Sequence, residues 1–162
     1  MREAQTRNLE IPGSMLRIAP GMTITIFRTR DAMYHLTALI TCLAVALYFS
    51  TSLLVARARS AYGIKAPAIT GNPDFERVFR VQMNTLEWMP MFLPALWLFA
   101  IYLSGPLAAA IGLVWIAGRI LYIVSYSKAA DKRGAGFGIQ GFATMALWLG
   151  ATGAILWRLL HG

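Results

Sequence analysis

Four stretches of this chain are each long and apolar enough to cross a bilayer, which takes about 20 predominantly apolar residues. The first, Met33 to Ala56, contains no Lys, Arg, Asp or Glu. The second runs from Pro73 to Leu103 and is polar in its first half. The third, Pro106 to about Tyr126, carries a single charge at Arg119, and the fourth, Gly138 to Leu160, ends with Arg158. Backbone polar groups in hydrocarbon must be satisfied within the protein, so runs of this kind become helices. Only Ser104 and Gly105 link the second to the third, which makes those two antiparallel neighbours. The expected architecture is all-α, an integral membrane four-helix up-down-up-down bundle over residues 33–162.

Composition agrees, with 57% of residues hydrophobic and 14% charged. A soluble domain has about 45–50% and about 25%. Residues 1–32 are mixed, with Pro12, Gly13, Pro20 and Gly21 as breakers and no apolar core of signal-peptide length. They read as a flexible or vector-derived tail, with Met33 a plausible start.

Lys and Arg number 15 against 7 Asp and Glu, an excess that in a soluble chain would suggest nucleic acid. Here the basic residues gather between apolar runs. Arg57, Arg59 and Lys65 lie in the first loop, and Lys128, Lys132 and Arg133 in the third, with no aromatic-interleaved basic face. Cytoplasmic loops of membrane proteins are enriched in Lys and Arg. Nucleic acid is therefore not expected as a partner, and membrane lipid is. Loops one and three are expected on the cytoplasmic side and both termini opposite. Cys42, inside an apolar run, reads as a buried, inert thiol. His35 and His161 stand at opposite ends of the chain, so no metal ligand set is expected.

The polar half of the second run carries the chemistry. Charges facing lipid at mid-bilayer cost about 2.5–3.5 kcal/mol each, so Glu76, Arg77, Arg80 and Glu87 must face one another, a cavity or the headgroups. At about 100° per residue, Glu76, Arg80, Asn84 and Glu87 fall within roughly 80° of one another, while Gln82 points nearly the opposite way. That face is either an ion-pair ladder holding helices together or a polar binding site. In the third run Arg119, Tyr122 and Tyr126 share one face by their spacing of three and four, and Arg133 follows about two turns later. Tyrosines on the stripe of an intramembrane arginine read as a cavity lining rather than an interfacial belt. Guanidinium, amide, carboxylate and phenol groups thus converge at one end of two helices. They suit a small ligand with carboxylates and an amine.

At these residues the sequence resembles the membrane-associated proteins in eicosanoid and glutathione metabolism. The resemblance rests on Gly71-Asn-Pro-Asp-Phe-Glu-Arg-Val-Phe-Arg-Val-Gln-Met-Asn-Thr-Leu-Glu-Trp-Met-Pro90 and on Arg119-Ile-Leu-Tyr-Ile-Val-Ser-Tyr126 with Lys132-Arg133. It covers roughly Arg57 to Ile139, and is nearest to the leukotriene C synthases and the microsomal glutathione transferases of the second and third types. It implies a homotrimer binding bent glutathione, as co-substrate, between neighbouring subunits. Arg80, Asn84, Glu87, Arg119, Tyr122 and Tyr126 match glutathione-binding positions. Glu87 would receive the ammonium and the arginines the carboxylates. Arg59 and Gln82 match positions through which the adjacent protomer completes the site, and Arg133 matches the arginine that activates the thiol. Two departures accompany the match. Trp88 stands where the nearest relatives have tyrosine, and Ser60 where leukotriene C synthases have a second arginine, which turns the expectation towards a general transferase.

The resemblance implies glutathione S-transferase activity on lipophilic electrophiles, with reduction of lipid hydroperoxides available to the same thiolate. A non-catalytic lipid-binding or scaffold protein of the same fold is the alternative, and a small transporter a second. At Arg133 the catalytic reading has its own rival, a positive-inside anchor. The catalytic reading has the side chain fold back over the pocket mouth, with Gly134 and Gly136 allowing close backbone approach.

Overall fold

The computed structural model describes residues 20–162, with side chains from Tyr34 onward except Ala130. Four long helices make up the chain: α1 (Pro20–Tyr62), α2 (Pro73–Tyr102), α3 (Gly105–Lys128) and α4 (Gly134–His161). A 3-10 turn, Ala130–Arg133, joins α3 to α4. All four helices contain stretches long and apolar enough to cross a membrane. The protein is a multi-pass membrane protein whose helices pack as a bundle. The tail expected over 1–32 falls outside the described side chains, and residues 1–19 lie outside the description altogether.

Local chemistry explains where the helices begin. Asn72 caps α2, its Oδ1 accepting from the N–H groups of Asp74 (2.8 Å) and Phe75 (3.3 Å), with Pro73 next in the first turn. The Glu76 carboxylate accepts from the Gly71 N–H at 3.0 Å. With Asp74 it also places negative charge at the positive end of the helix dipole. Arg77 pairs with Asp74. Ser104 caps α3, its Oγ accepting from the Leu107 N–H at 3.4 Å. The α2–α3 link is therefore as tight as expected. Two boundaries differ from the sequence reading. Helix α1 continues past Ala56 through Arg57 and Arg59, because a helix does not have to stop where the apolar run does. Helix α4 begins at Gly134, ahead of Gly138.

Helices α1 and α4 both pack on the α2–α3 hairpin. Phe92 of α2 stacks on Trp115 of α3, with ring centroids 4.0 Å apart and planes 5° from parallel, at the centre of the main core cluster. Small residues bring α3 close to its neighbours, as is common between membrane helices. A Cβ at Gly118 would lie 2.9 Å from the Gln140 backbone nitrogen, and one at Gly136 only 2.4 Å from that of Tyr122. Across the bundle, Trp97 Nε1 donates to Thr41 Oγ1 (3.1 Å) and Thr37 Oγ1 to the Gly105 carbonyl (3.4 Å). The outer surface is apolar, with Phe49, Leu113, Phe142 and Leu159 all exposed. Cys42 is on that outer face and not in the core, contrary to expectation, since α1 turns only part of its circumference towards the bundle.

Candidate functional site

The polar residues of α2 and α3 meet at the end of the bundle where α2 begins and α3 gives way to the 3-10 turn. Asn84, Tyr122, Arg133, Gly134 and Phe137 line a cavity of about 240 Å3. A second recess of about 380 Å3 is lined by Pro73, Glu76, Arg77, Arg80 and Tyr126. The two are linked by stacked tyrosines, for the rings of Tyr122 and Tyr126 lie 5.5 Å apart at 28°. The Arg133 guanidinium carbon lies 5.7 Å from the centroid of the Tyr126 ring. Gly136 makes the close approach, whereas Gly134 has open space around it.

Charge at the site is largely uncompensated. Arg77–Asp74 is the single salt bridge among the described residues, so Arg80, Arg133 and Glu87 carry none. Glu87 accepts a hydrogen bond from Asn84 Nδ2 at 3.2 Å. Arg133 lines the first cavity and Arg80 the second, with Glu87 in neither lining but bonded to Asn84, and this set of two cations and one anion is complementary to a molecule with carboxylates and an ammonium. Glu76, which shares the polar face by the helical wheel, has its carboxylate engaged by the Gly71 N–H. The ion-pair ladder is absent as well: Glu76, Arg80 and Glu87 form no salt bridge with one another.

Arg119 is placed differently from the other matched residues. It is 0% exposed, and its guanidinium is spent within the protein. Nε donates to Thr85 Oγ1 (3.2 Å), Nη1 to Asn84 Oδ1 (3.1 Å) and to Gln140 Oε1 (2.6 Å), and Nη2 again to Asn84 Oδ1 (3.2 Å). The guanidinium also lies over the Tyr122 ring at 4.5 Å. Hydrogen bonds to a charged group contribute about 1.5–3 kcal/mol each, enough to hold a cation at this depth without a carboxylate. Thr85 and Gln140 belong to this network and the sequence reading passed over both.

Gln82 and Arg59 lie away from this chain's own cavity. Gln82 Nε2 donates to Ser52 Oγ on α1 at 2.8 Å. Arg59 donates to the Ala68 carbonyl at 2.7 Å and lies over the Phe75 ring at 5.0 Å. Trp88, one turn beyond Asn84 on α2, lines an apolar groove of about 410 Å3 between α2 and α4 with Pro90, Met91, Pro94, Met145 and Trp148. The groove and the polar cavity share one aromatic wall, since Trp88 meets Phe137 edge to face at 5.5 Å.

Comparison with known proteins finds that the profile of the MAPEG family matches residues 37–153. An uncharacterized protein of Synechocystis is 54% identical over 75% of this chain and 89% of its own length. Microsomal glutathione S-transferase 2 of Homo sapiens is 45% identical over 65% of this chain and 71% of its own. Leukotriene C4 synthase of Cavia porcellus is 40% identical over 78% and 82%.

Proposed function

This chain belongs to the MAPEG family, and from that membership we propose that it is a membrane-bound glutathione S-transferase acting on lipophilic electrophiles. The observation that carries the reading is a cavity with an unpaired arginine at its mouth, set against an apolar groove across the Trp88–Phe137 contact. A polar tripeptide and an apolar acceptor thereby have separate places that touch along one wall. The name of the human relative, a microsomal glutathione S-transferase, supports the same chemistry.

Glutathione is held by charge. Glu87 takes its ammonium, and Arg80 takes a carboxylate in a charge-assisted pair. Asn84, Tyr122 and Tyr126 line its bed. Arg59 and Gln82, turned away from their own chain's cavity, complete the site of a neighbouring protomer in a homotrimer. Mass measurement in mild detergent yields three protomers per particle on this reading, and monomers alone refute it.

Arg133 activates the thiol. A thiol of pKa about 8.5 is only a few per cent ionised at pH 7, and the thiolate is the nucleophile. Lowering that pKa by about two units takes roughly 2.7 kcal/mol. A guanidinium about 3.5 Å away, at an effective dielectric near 20, supplies about 4–5 kcal/mol before desolvation is subtracted. One arginine is therefore sufficient. The thiolate attacks the electrophilic carbon, forming a C–S bond as the leaving group departs. With a lipid hydroperoxide it attacks the O–O bond instead. That cleavage releases the alcohol and leaves a glutathione sulfenic acid, which a second glutathione converts to glutathione disulfide and water.

The positions of the basic residues support a site on the cytoplasmic side with the termini opposite. The deciding experiment assays detergent-purified protein with glutathione and chlorodinitrobenzene and, separately, with a fatty-acid hydroperoxide, while following thiolate absorbance. Turnover with thiolate formation is the expected result. Neither signal, in a protein that still binds lipid, favours a scaffold.

A further inference from the structure

We propose that Gln140 is a positioning residue for glutathione, acting through Arg119 to hold Asn84 and leave Glu87 available to the ligand; this rests on the glutathione reading above. Gln140 is 0% exposed on α4, and its Oε1 accepts the shortest of the bonds that Arg119 makes, at 2.6 Å. Its Nε2 has no acceptor among the described residues. An unpaired buried amide costs stability, and an apolar side chain in its place would remove that cost. What the amide supplies is its oxygen.

The consequence runs through one amide rotation. Asn84 Oδ1 receives two N–H groups from Arg119, at 3.1 and 3.2 Å. Turning the Asn84 amide over would set NH2 against guanidinium, donor against donor, so the rotation is locked. Nδ2 is left facing Glu87, to which it donates at 3.2 Å. Thr85 helps in the same way. Its hydroxyl hydrogen goes to the Val81 carbonyl (2.6 Å), which leaves the oxygen to accept from Arg119 Nε.

Arg119 has no carboxylate partner. Held on neutral oxygens from α2 and α4, it leaves the Glu87 charge for the ligand's ammonium. Without the Gln140 oxygen, the guanidinium is short of an acceptor, and Glu87 is the carboxylate one hydrogen bond away through Asn84. The two then turn towards each other, and the ammonium loses its partner. Arg133, which takes the thiol on that reading, is no part of this hydrogen-bond network, so thiol activation is not touched by the change.

The test compares Gln140→Met, which keeps length and loses the acceptor, with Gln140→Glu, which keeps an acceptor oxygen beside Arg119. Detergent-purified variants are titrated calorimetrically with glutathione and assayed with chlorodinitrobenzene. Q140M is expected to weaken glutathione binding about tenfold and to raise its KM to match, with kcat at saturating glutathione falling less than about threefold. Q140E is expected to bind within about threefold of the parent. Thr85→Val, nearly isosteric, is expected to show the same KM-only defect, and decides the matter should Q140M not fold. Parental affinity in folded Q140M or, failing that, in T85V overturns the proposal. So does a Q140E as weak as Q140M, or a defect confined to kcat. Absence of glutathione binding by the parent overturns the functional reading and this inference with it.

Discussion

Replacing Gly136 by alanine tests the contact on which the site geometry depends. A Cβ there would stand 2.4 Å from the Tyr122 nitrogen, 2.7 Å from its Cα and 2.8 Å from the Gly118 carbonyl oxygen. All three are backbone atoms of α3, so no rotamer change relieves the clash. The two helices must part by about 1 Å to restore ordinary contact at about 3.5–4.0 Å. Overpacking costs typically 1–3 kcal/mol, and a clash against backbone belongs at about 3 kcal/mol. For a chain of this size that lowers Tm by roughly 6–12 °C. The same displacement carries Tyr122 away from Arg133 and Phe137, and a 1 Å misplacement costs up to about 10²-fold in rate. Gly138→Ala is the control, since nothing lies within 4 Å of a Cβ there. There, alanine is expected to be neutral or to stabilise by about 0.5–1 kcal/mol. The assay is thermal unfolding in detergent alongside glutathione turnover. A Gly136→Ala protein melting within about 2 °C of the parent, at parental turnover, would show that α3 and α4 do not approach each other in this way.

Other outcomes follow from individual contacts. Arg133→Ala is expected to bind glutathione yet lose thiolate absorbance and about 10²-fold in turnover, the equivalent of roughly 2.7 kcal/mol. Normal thiolate formation at neutral pH, with only expression reduced, would make Arg133 an anchor. Glu87→Ala and Arg80→Ala should each weaken glutathione binding at least tenfold, about 1.4 kcal/mol, and titration showing parental affinity in both removes this helix face from the site. Asn72→Ala removes the acceptor for two N–H groups at the start of α2 and is expected to cost about 1 kcal/mol, roughly 2–4 °C in Tm, with Asn72→Asp near the parent.

The bundle could be read from the sequence because a bilayer leaves one solution to each long apolar run. The Tyr122–Tyr126 face could be read because residues three and four apart must share a side of a helix. The helical wheel failed where it treated every polar residue on a face alike. It grouped Glu76 with Arg80 and Asn84, although a carboxylate in the first turn has the loop's N–H groups to serve. It also sets Arg119 beside Tyr122 and Tyr126 without its partners: three of its four internal hydrogen bonds go to Asn84 and Thr85 of α2 and one to Gln140 of α4, which no pattern within α3 reveals. Gln140 did leave a signal, as the lone amide in the fourth apolar run, and an intramembrane polar side chain calls for a partner. Cys42 misled in the opposite sense. In a membrane protein an apolar neighbourhood along the chain does not distinguish the core from the lipid-facing side.

The tight link at Ser104 makes α2 and α3 a pair of levers with the site at their far ends. Arg119 lies fifteen residue steps along α3 from Ser104, about 22 Å at 1.5 Å per residue. Over that arm a change of about 2° in the angle between the helices moves Arg119 by about 0.8 Å relative to α2. Its bonds to Thr85 and Asn84 span 3.1–3.2 Å, and such a shift takes them beyond hydrogen-bonding distance. The angular tolerance of the site is thus set by the Phe92–Trp115 stack, one turn of α3 from Arg119, and by two residues at the distant pivot, Leu103 and Ser104.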